Sequence, residues 1–331
     1  MSVIERLNVY GIAEGATWGT AVTVGVNNGI YFQSFDGFPM DSDQTVDKGA
    51  GMGQESNSVT GNDKPVEPSF VIWPYENDHT ALFILALIMG ADAITGAGDP
   101  YTHAMAFQDE SGKFVSIIGQ EGTETKTIPS AVLQTLEITP NSTGIIEFKG
   151  KFHGNTVTVA GATGSVTYKA NELPFLFKNL VMRINDQSGA GLAVGDAIEI
   201  SDFKISIARP SKGDIVTGAT TISAPNEGEF PTFLLEFKIP AKTADSVSLY
   251  TDYRAGTLKK LDMTFSGSGA TRELLLDAPQ VKLESVSNPH DDVISTTVMA
   301  RLQKASAAPT GMTATVPTFA WQNDESASVL A

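Results

Sequence analysis

Apolar positions in this chain come in short runs punctuated by polar stretches rich in glycine and proline. The longest run, within Val66–Gly90 (VEPSFVIWPYENDHTALFILALIMG), organises the rest. Phe70, Val71, Ile72 and Trp73 have the β-branched and aromatic character of a strand. Pro74 cannot donate to a ladder and ends it. Asn77 or Asp78 is placed to cap a helix, the unbroken apolar run Ala81–Met89 forms it, and Gly90 terminates it. Nine apolar residues fall well short of the roughly 20 needed to span a bilayer, so the pattern predicts a short helix buried against a sheet.

The same order of elements recurs. Phe233–Gly256 (FLLEFKIPAKTADSVSLYTDYRAG) reads as a strand, Pro240, a cap at Asp245, a helix and then Gly256. The distance from Pro74 to Gly90 equals that from Pro240 to Gly256, which marks an internal repeat. Further elements align on either side. Ile30–Phe38 predicts a strand before a polar loop bounded by Pro39 and Pro68. Ala197–Ile207 predicts one before a second polar loop, Pro210–Pro231, with Ile200–Phe203 matched to Phe32–Phe35.

After the helices, Phe114–Gly119, Val132–Thr139 and Gly144–Gly154 match Leu261–Phe265, Val281–Glu284 and Val293–Leu302. The alternation of Ile146, Phe148 and Phe152 with polar residues is that of a half-buried strand. The offset between halves falls from about 166 at the helices to about 148 at the later strands. An insertion after Gly90, containing Asp99-Pro100-Tyr101, accounts for the change. Thr102–Phe107 and Phe175–Ile184 add further strands.

The expected organisation is therefore residues 1–165 as a first unit with an N-terminal arm and the long loop 39–68. Residues 166–304 form a second unit, and 305–331 a C-terminal arm docked through Phe319 and Trp321. Trp18, in Glu14-Gly-Ala-Thr-Trp18-Gly-Thr20, is expected to anchor either on its own domain or on a neighbour. The fold class is mainly β with short helices, a duplicated β-sandwich or half-barrel with each unit flanked by a helix.

Composition narrows the function. The 331 residues carry a formal net charge of −16, against the clustered Lys and Arg that grip phosphates. There are no cysteines, which excludes disulfides and thiolate metal sites. The N-terminal MSVIERLNVYG lacks the basic and apolar regions of a signal peptide, so synthesis in a cytosol-like compartment is expected.

No catalytic, cofactor-binding or metal-binding residue is assigned. The four histidines, His79, His103, His153 and His290, are not at ligand spacing. His290-Asp291-Asp292 reads as a solvated turn, and Asp41-Ser-Asp43 lacks the Gly and closing Glu of a calcium loop. Gly49-Ala-Gly51-Met-Gly53 is not followed by Gly-Lys-Ser/Thr, and no Gly-x-Ser-x-Gly elbow is present.

Three features together resemble the tail tube proteins of long-tailed bacteriophages. They are the Glu14-x-x-x-Trp18-Gly-Thr20 approach to the first strand, the polar loop Pro39–Pro68, and the strand–Pro–helix unit VIWPYENDHTALFILALIMG ending at Gly90. The resemblance implies a structural virion protein, not an enzyme, made in the host cytoplasm. Its rings would stack into a conduit for the phage genome. The implied partners are copies of itself and tail-tip and tail-terminator proteins. DNA would pass through the lumen without specific binding, and no membrane is involved. The long loop is implied to reach the adjacent ring, and much of the negative charge is expected to face the bore.

Two such units per chain would need three chains for a six-fold-like ring; one unit plus a decorating domain would need six. A virion adhesion or baseplate protein shares the β-rich, acidic, cysteine-free profile, and a β-sandwich carbohydrate-active enzyme is the enzymatic alternative.

Overall fold

Alternating burial sets the architecture. In the strand Ile146–Gly154, Ile146, Phe148 and Phe152 are fully buried while Glu147, Lys149 and Lys151 turn outward. The computed structural model describes residues 9–39, 42–46, 58–121, 124–159, 165–169, 173–240, 243–267, 272–287 and 295–330. Its fold is mainly β, with two short α-helices, α1 (His79–Met89) and α2 (Ala244–Ala255), against one large antiparallel sheet.

Strand pairing repeats between the halves. In the first, the hydrogen-bonded order is Phe32–Phe35, Ser69–Ile72, Ile146–Gly154, Glu124–Pro140, Val115–Glu121 and Tyr10–Glu14. In the second it is Asp202–Ala208, Thr232–Ile239, Thr296–Gln303, Glu273–Ser287, Lys259–Ser266 and Leu180–Asp186. Place by place, the members come in the same chain order, and every pair is antiparallel. Even an irregularity recurs. Register slips between Val115 and Ile117 opposite Pro129, and between Lys259 and Leu261 opposite Pro279. A proline cannot donate to a ladder, and a bulge accommodates it.

Both helices begin after a strand and a proline and end at a left-handed glycine, Gly90 (φ 85°) or Gly256 (φ 71°). The Asp78 carboxylate caps α1, accepting from the N–H groups of Thr80 and Ala81. In α2 the cap is Thr243, in a reciprocal box with Ser246, and not the expected Asp245, which lies in the first turn. Pairing agrees with the match of Ile200–Phe203 to Phe32–Phe35: with the bulges at Gln134 and Glu284 aligned, Gly150 corresponds to Val298, and Gly150, Phe70 and Phe35 lie side by side as Val298, Phe237 and Phe203 do.

The helices differ in burial. Almost every residue of α1 is buried, whereas α2 buries Ser246 and Leu249 and exposes Val247, Tyr250 and Tyr253. The segment after Gly90 explains part of this. It holds the paired strands Ala93–Thr95 and Tyr101–Ala106, the latter close to α1, while Gly256 runs almost directly into Lys259.

The two halves share one hydrophobic core and are joined twice. Residues Thr135–Ile138 pair with Ile205–Ala208, merging both halves into one sheet. The C-terminal strand Thr318–Asn323 lies between Leu274–Asp277 and Tyr101–Ala106. Phe319 and Trp321 are fully buried there, as expected; the Trp321 indole N–H donates to the Glu76 carbonyl at 3.1 Å. Residues 160–164 and 170–172, around the expected unit boundary, lie outside the described residues.

Candidate assembly surface

The sheet that runs across both halves packs one face on the core and exposes the other. Outward positions are set by two-residue periodicity on five consecutive strands. They carry Glu147, Lys149 and Lys151; Glu137; Asp202 and Lys204; Glu236 and Lys238; and Arg301. Lys282 and Glu284 continue the face on Glu273–Ser287. Opposite charges pair across strands in Lys204–Glu137 at 2.7 Å and Arg301–Glu284 at 2.6 Å, and along one strand in Lys149–Glu147 at 3.0 Å.

Six cations (Lys149, Lys151, Lys204, Lys238, Lys282, Arg301) therefore face five carboxylates (Glu137, Glu147, Asp202, Glu236, Glu284). In a chain of net charge −16, this face is balanced. The negative excess of the chain therefore lies outside this face.

The polar loops gather together. Residues expected to form the loop Pro39–Pro68 include a two-stranded hairpin, Ser42–Val46 with Ser58–Asp63; residues 40–41 and 47–57 lie outside the described residues. The Asp63 backbone N–H donates to the Thr220 carbonyl at 3.0 Å, bringing this loop against Pro210–Pro231. Phe230, at the end of the second loop, is 94% exposed beside a cleft lined by Phe107, Glu110, Arg301 and Pro317. Trp18 anchors on its own chain: the indole N–H donates to the Ile222 carbonyl at 3.1 Å, and the ring meets Phe114 edge-on at 5.5 Å.

Arg209, next along the chain after the joining strand, is buried at 2% exposure. Its guanidinium donates to the carbonyls of Ile88 (2.6 Å), Met89 (3.3 Å) and Gln108 (2.7 Å) and pairs with Glu227 at 2.9 Å. Two of these acceptors are end carbonyls of α1, otherwise without intrahelical partners.

The C-terminal arm is held by a charged cluster. The His103 ring is buried, with Nδ1 3.0 Å from Asp92 and Nε2 3.0 Å from the Glu325 carbonyl. Burial acts to lower its pKa, but the bond to Asp92, that residue's charge and the Glu325 carbonyl outweigh it, and the net shift is upward. Glu325 also meets His79 (3.2 Å) and Lys169 (2.7 Å). The His79 hydrogen bond leads, with Lys169, in pulling its carboxyl down to about 2 against the effect of burial.

Among the described residues, no group of three or more His, Asp or Glu side chains is arranged to hold a metal ion. His79 and His103 serve the arm, and His153 lies 3.2 Å from Glu67. Asp41, Gly49–Gly53 and His290–Asp292 lie outside the described residues. No helix is long and apolar enough to cross a membrane, among the residues described. No protein-family model and no curated protein sequence matches the chain.

Proposed function

We propose that this chain is a structural, non-enzymatic virion subunit that assembles with copies of itself into stacked rings. These form the tube of a bacteriophage tail, a conduit for the genome. The observation that carries this reading is the repeated strand order, in which one unit is already joined edge to edge to the next within a single chain. A protein whose own fold consists of two such units in series has the geometry from which rings grow by adding more. With two units per chain, three chains complete a six-fold-like ring.

Other features support it. The balanced outward face suits a bore: ion-paired Lys and Arg offer passing phosphates no net attraction, so DNA meets a surface to which it does not adhere. The meeting of the two polar loops at Asp63 and Thr220 suits contact with the adjacent ring. Tail-tip and terminator proteins would close the two ends of the stack. The test is native mass measurement of assembled rings. Three chains per ring supports the two-unit reading and six contradicts it. Closed particles that never stack would favour an adhesion or baseplate role.

A further inference from the structure

The cleft beside Phe230 is held open by the fold. Its walls come from residues 107–110, from 227–231 before the strand Thr232–Ile239, from the end of Thr296–Gln303, and from 316–317. Arg209 fixes two of these segments. It donates to the Gln108 carbonyl at 2.7 Å, pairs with Glu227 at 2.9 Å and lies over the Phe107 ring at 4.5 Å. The Phe107 N–H ties in another, donating to the Pro317 carbonyl at 2.9 Å. The cleft measures about 500 Å³, within the usual range for a binding site.

An excursion of the second half completes it. In the first half the chain leaves Ile146–Gly154 and stays on the same edge of Glu124–Pro140: the Asn155 N–H donates to the Ser130 carbonyl, and Thr158 pairs with Thr127. In the second half Gln303 lies opposite Gln280 and Thr318 opposite Asp277, the equivalents of Ser130 and Thr127. Between Gln303 and Thr318 the chain departs over residues 304–317, where the first half needs only Thr156 and Val157. Lys304, Val316 and Pro317, at the two ends of this excursion, line the cleft.

The lining is apolar at its walls and acidic at its rim. Phe107, Phe233, Leu302, Val316 and Pro317 make the walls, and Phe230 stands 94% exposed. Around them lie Asp109, Glu110 and Glu229, whose carboxylates make no hydrogen bond or ion pair among the described residues. Of the cations in the lining, Arg301 is engaged by Glu284 at 2.6 Å, which leaves Lys304 against three carboxylates.

We propose that this cleft docks a segment of a partner protein in which an arginine stands beside a large apolar residue. The apolar residue covers Phe230 and the walls, and the guanidinium meets the free carboxylates. The chain already contains this pairing, since Arg209 stacks on Phe107 and is matched by Glu227. A large aromatic side chain left bare beside apolar walls marks an interaction site. A second copy, at a net charge of −16, brings mainly like charge, so the partner is a different protein. The inference goes beyond the tube reading and does not depend on it.

The test uses two dye-labelled, end-capped peptides, Leu-Arg-Trp-Arg-Leu and Leu-Glu-Trp-Glu-Leu. Each is titrated with the full-length protein and followed by fluorescence anisotropy. The arginine peptide is expected to bind saturably, and the glutamate peptide about tenfold more weakly or worse, the difference made by charge-assisted contacts. Phe230→Ala should weaken the arginine peptide by a similar factor, as should Asp109→Asn combined with Glu229→Gln. Glu199→Gln, at an exposed carboxylate outside the cleft, should leave it unchanged. All four side chains are exposed, so the variants are expected to fold, and circular dichroism checks it. Absence of saturable binding overturns the proposal. So does binding that the cleft variants do not weaken, which is general attraction to an acidic surface. Light scattering of the same variants tests the other occupant: self-association that is lost in Phe230→Ala makes it a second copy and also overturns the proposal.

Discussion

Ile138 of the first half faces Ile205 of the second across the antiparallel pairing that makes one sheet of two. Both side chains are fully buried, so the joint is a piece of core and not a surface contact. Ile205→Ala removes three methyl or methylene groups from that position and is expected to cost about 2–4 kcal/mol. Chemical denaturation checks it: a single lower midpoint is predicted, since the core is continuous across the joint.

Arg209 stabilises the same region by a different route. Arg209→Met removes the guanidinium donor from the carbonyls of Ile88 and Gln108, and leaves Met89 with only the Gln108 N–H and Glu227 with the Ser111 N–H but no buried cation. Loss of one side of such a buried pair is expected to cost about 3–5 kcal/mol. Arg209→Lys recovers only part of this, because an ammonium cannot reproduce the planar fork. Thermal melts of the two variants give the comparison.

Asp262 and Asp277 lie opposite each other on neighbouring strands, with Arg183 paired to Asp262 at 2.6 Å. Burial, followed by the charge of Asp262, pushes Asp277 up to about 6 despite the opposing pull of Arg183. A carboxyl raised on folding favours the folded state fully below its unfolded value near pH 4, and that contribution is lost as pH rises through about 6. Asp277→Asn is therefore expected to stabilise the protein at pH 7 by about 1–2 kcal/mol, the carboxyl being partly open to solvent. Below pH 4 the gain should vanish.

The C-terminal arm should respond to acid in the opposite sense. Glu325 is held down at about 2, so its contribution is present above its unfolded value near 4.5 and is lost as pH falls toward 2. His103 is raised, so its contribution is complete below about 6.5 and lost as pH rises through its folded value. Both ring nitrogens face acceptors, which favours the doubly protonated imidazolium. Limited proteolysis with an acid-active protease is expected to release the arm faster at pH 3 than at pH 5. Glu325→Gln should make cleavage fast at both.

Local chemistry made much of this legible in the sequence. Pro74, Asp78 and Gly90 mark α1 at both ends, and the alternation of Ile146, Phe148 and Phe152 marks its strand. The repeat was readable because element order and a proline–helix–glycine spacing survive where side chains do not. What escaped was of two kinds. The local pattern marks Glu124–Pro140 only from Val132 onward, because Pro129 interrupts it and the bulge that accommodates the proline belongs to the pair of strands. Likewise, Asp245 is the more obvious anion at the start of α2, whereas Thr243, which caps it, carries no charge. The joint at Ile138 and Ile205, the burial of Arg209 and the contact of His103 with the Glu325 carbonyl unite residues far apart in the chain, and no short window encodes them. The balanced outer face is similar: the net charge of the chain does not say which face carries it.

The most direct test of the central claim is negative-stain electron microscopy of the purified protein across a concentration series. The account predicts rings with a central channel that stack into hollow tubes as concentration rises. A protein that remains monomeric at every concentration, even with tail-tip proteins added as initiators, would contradict it.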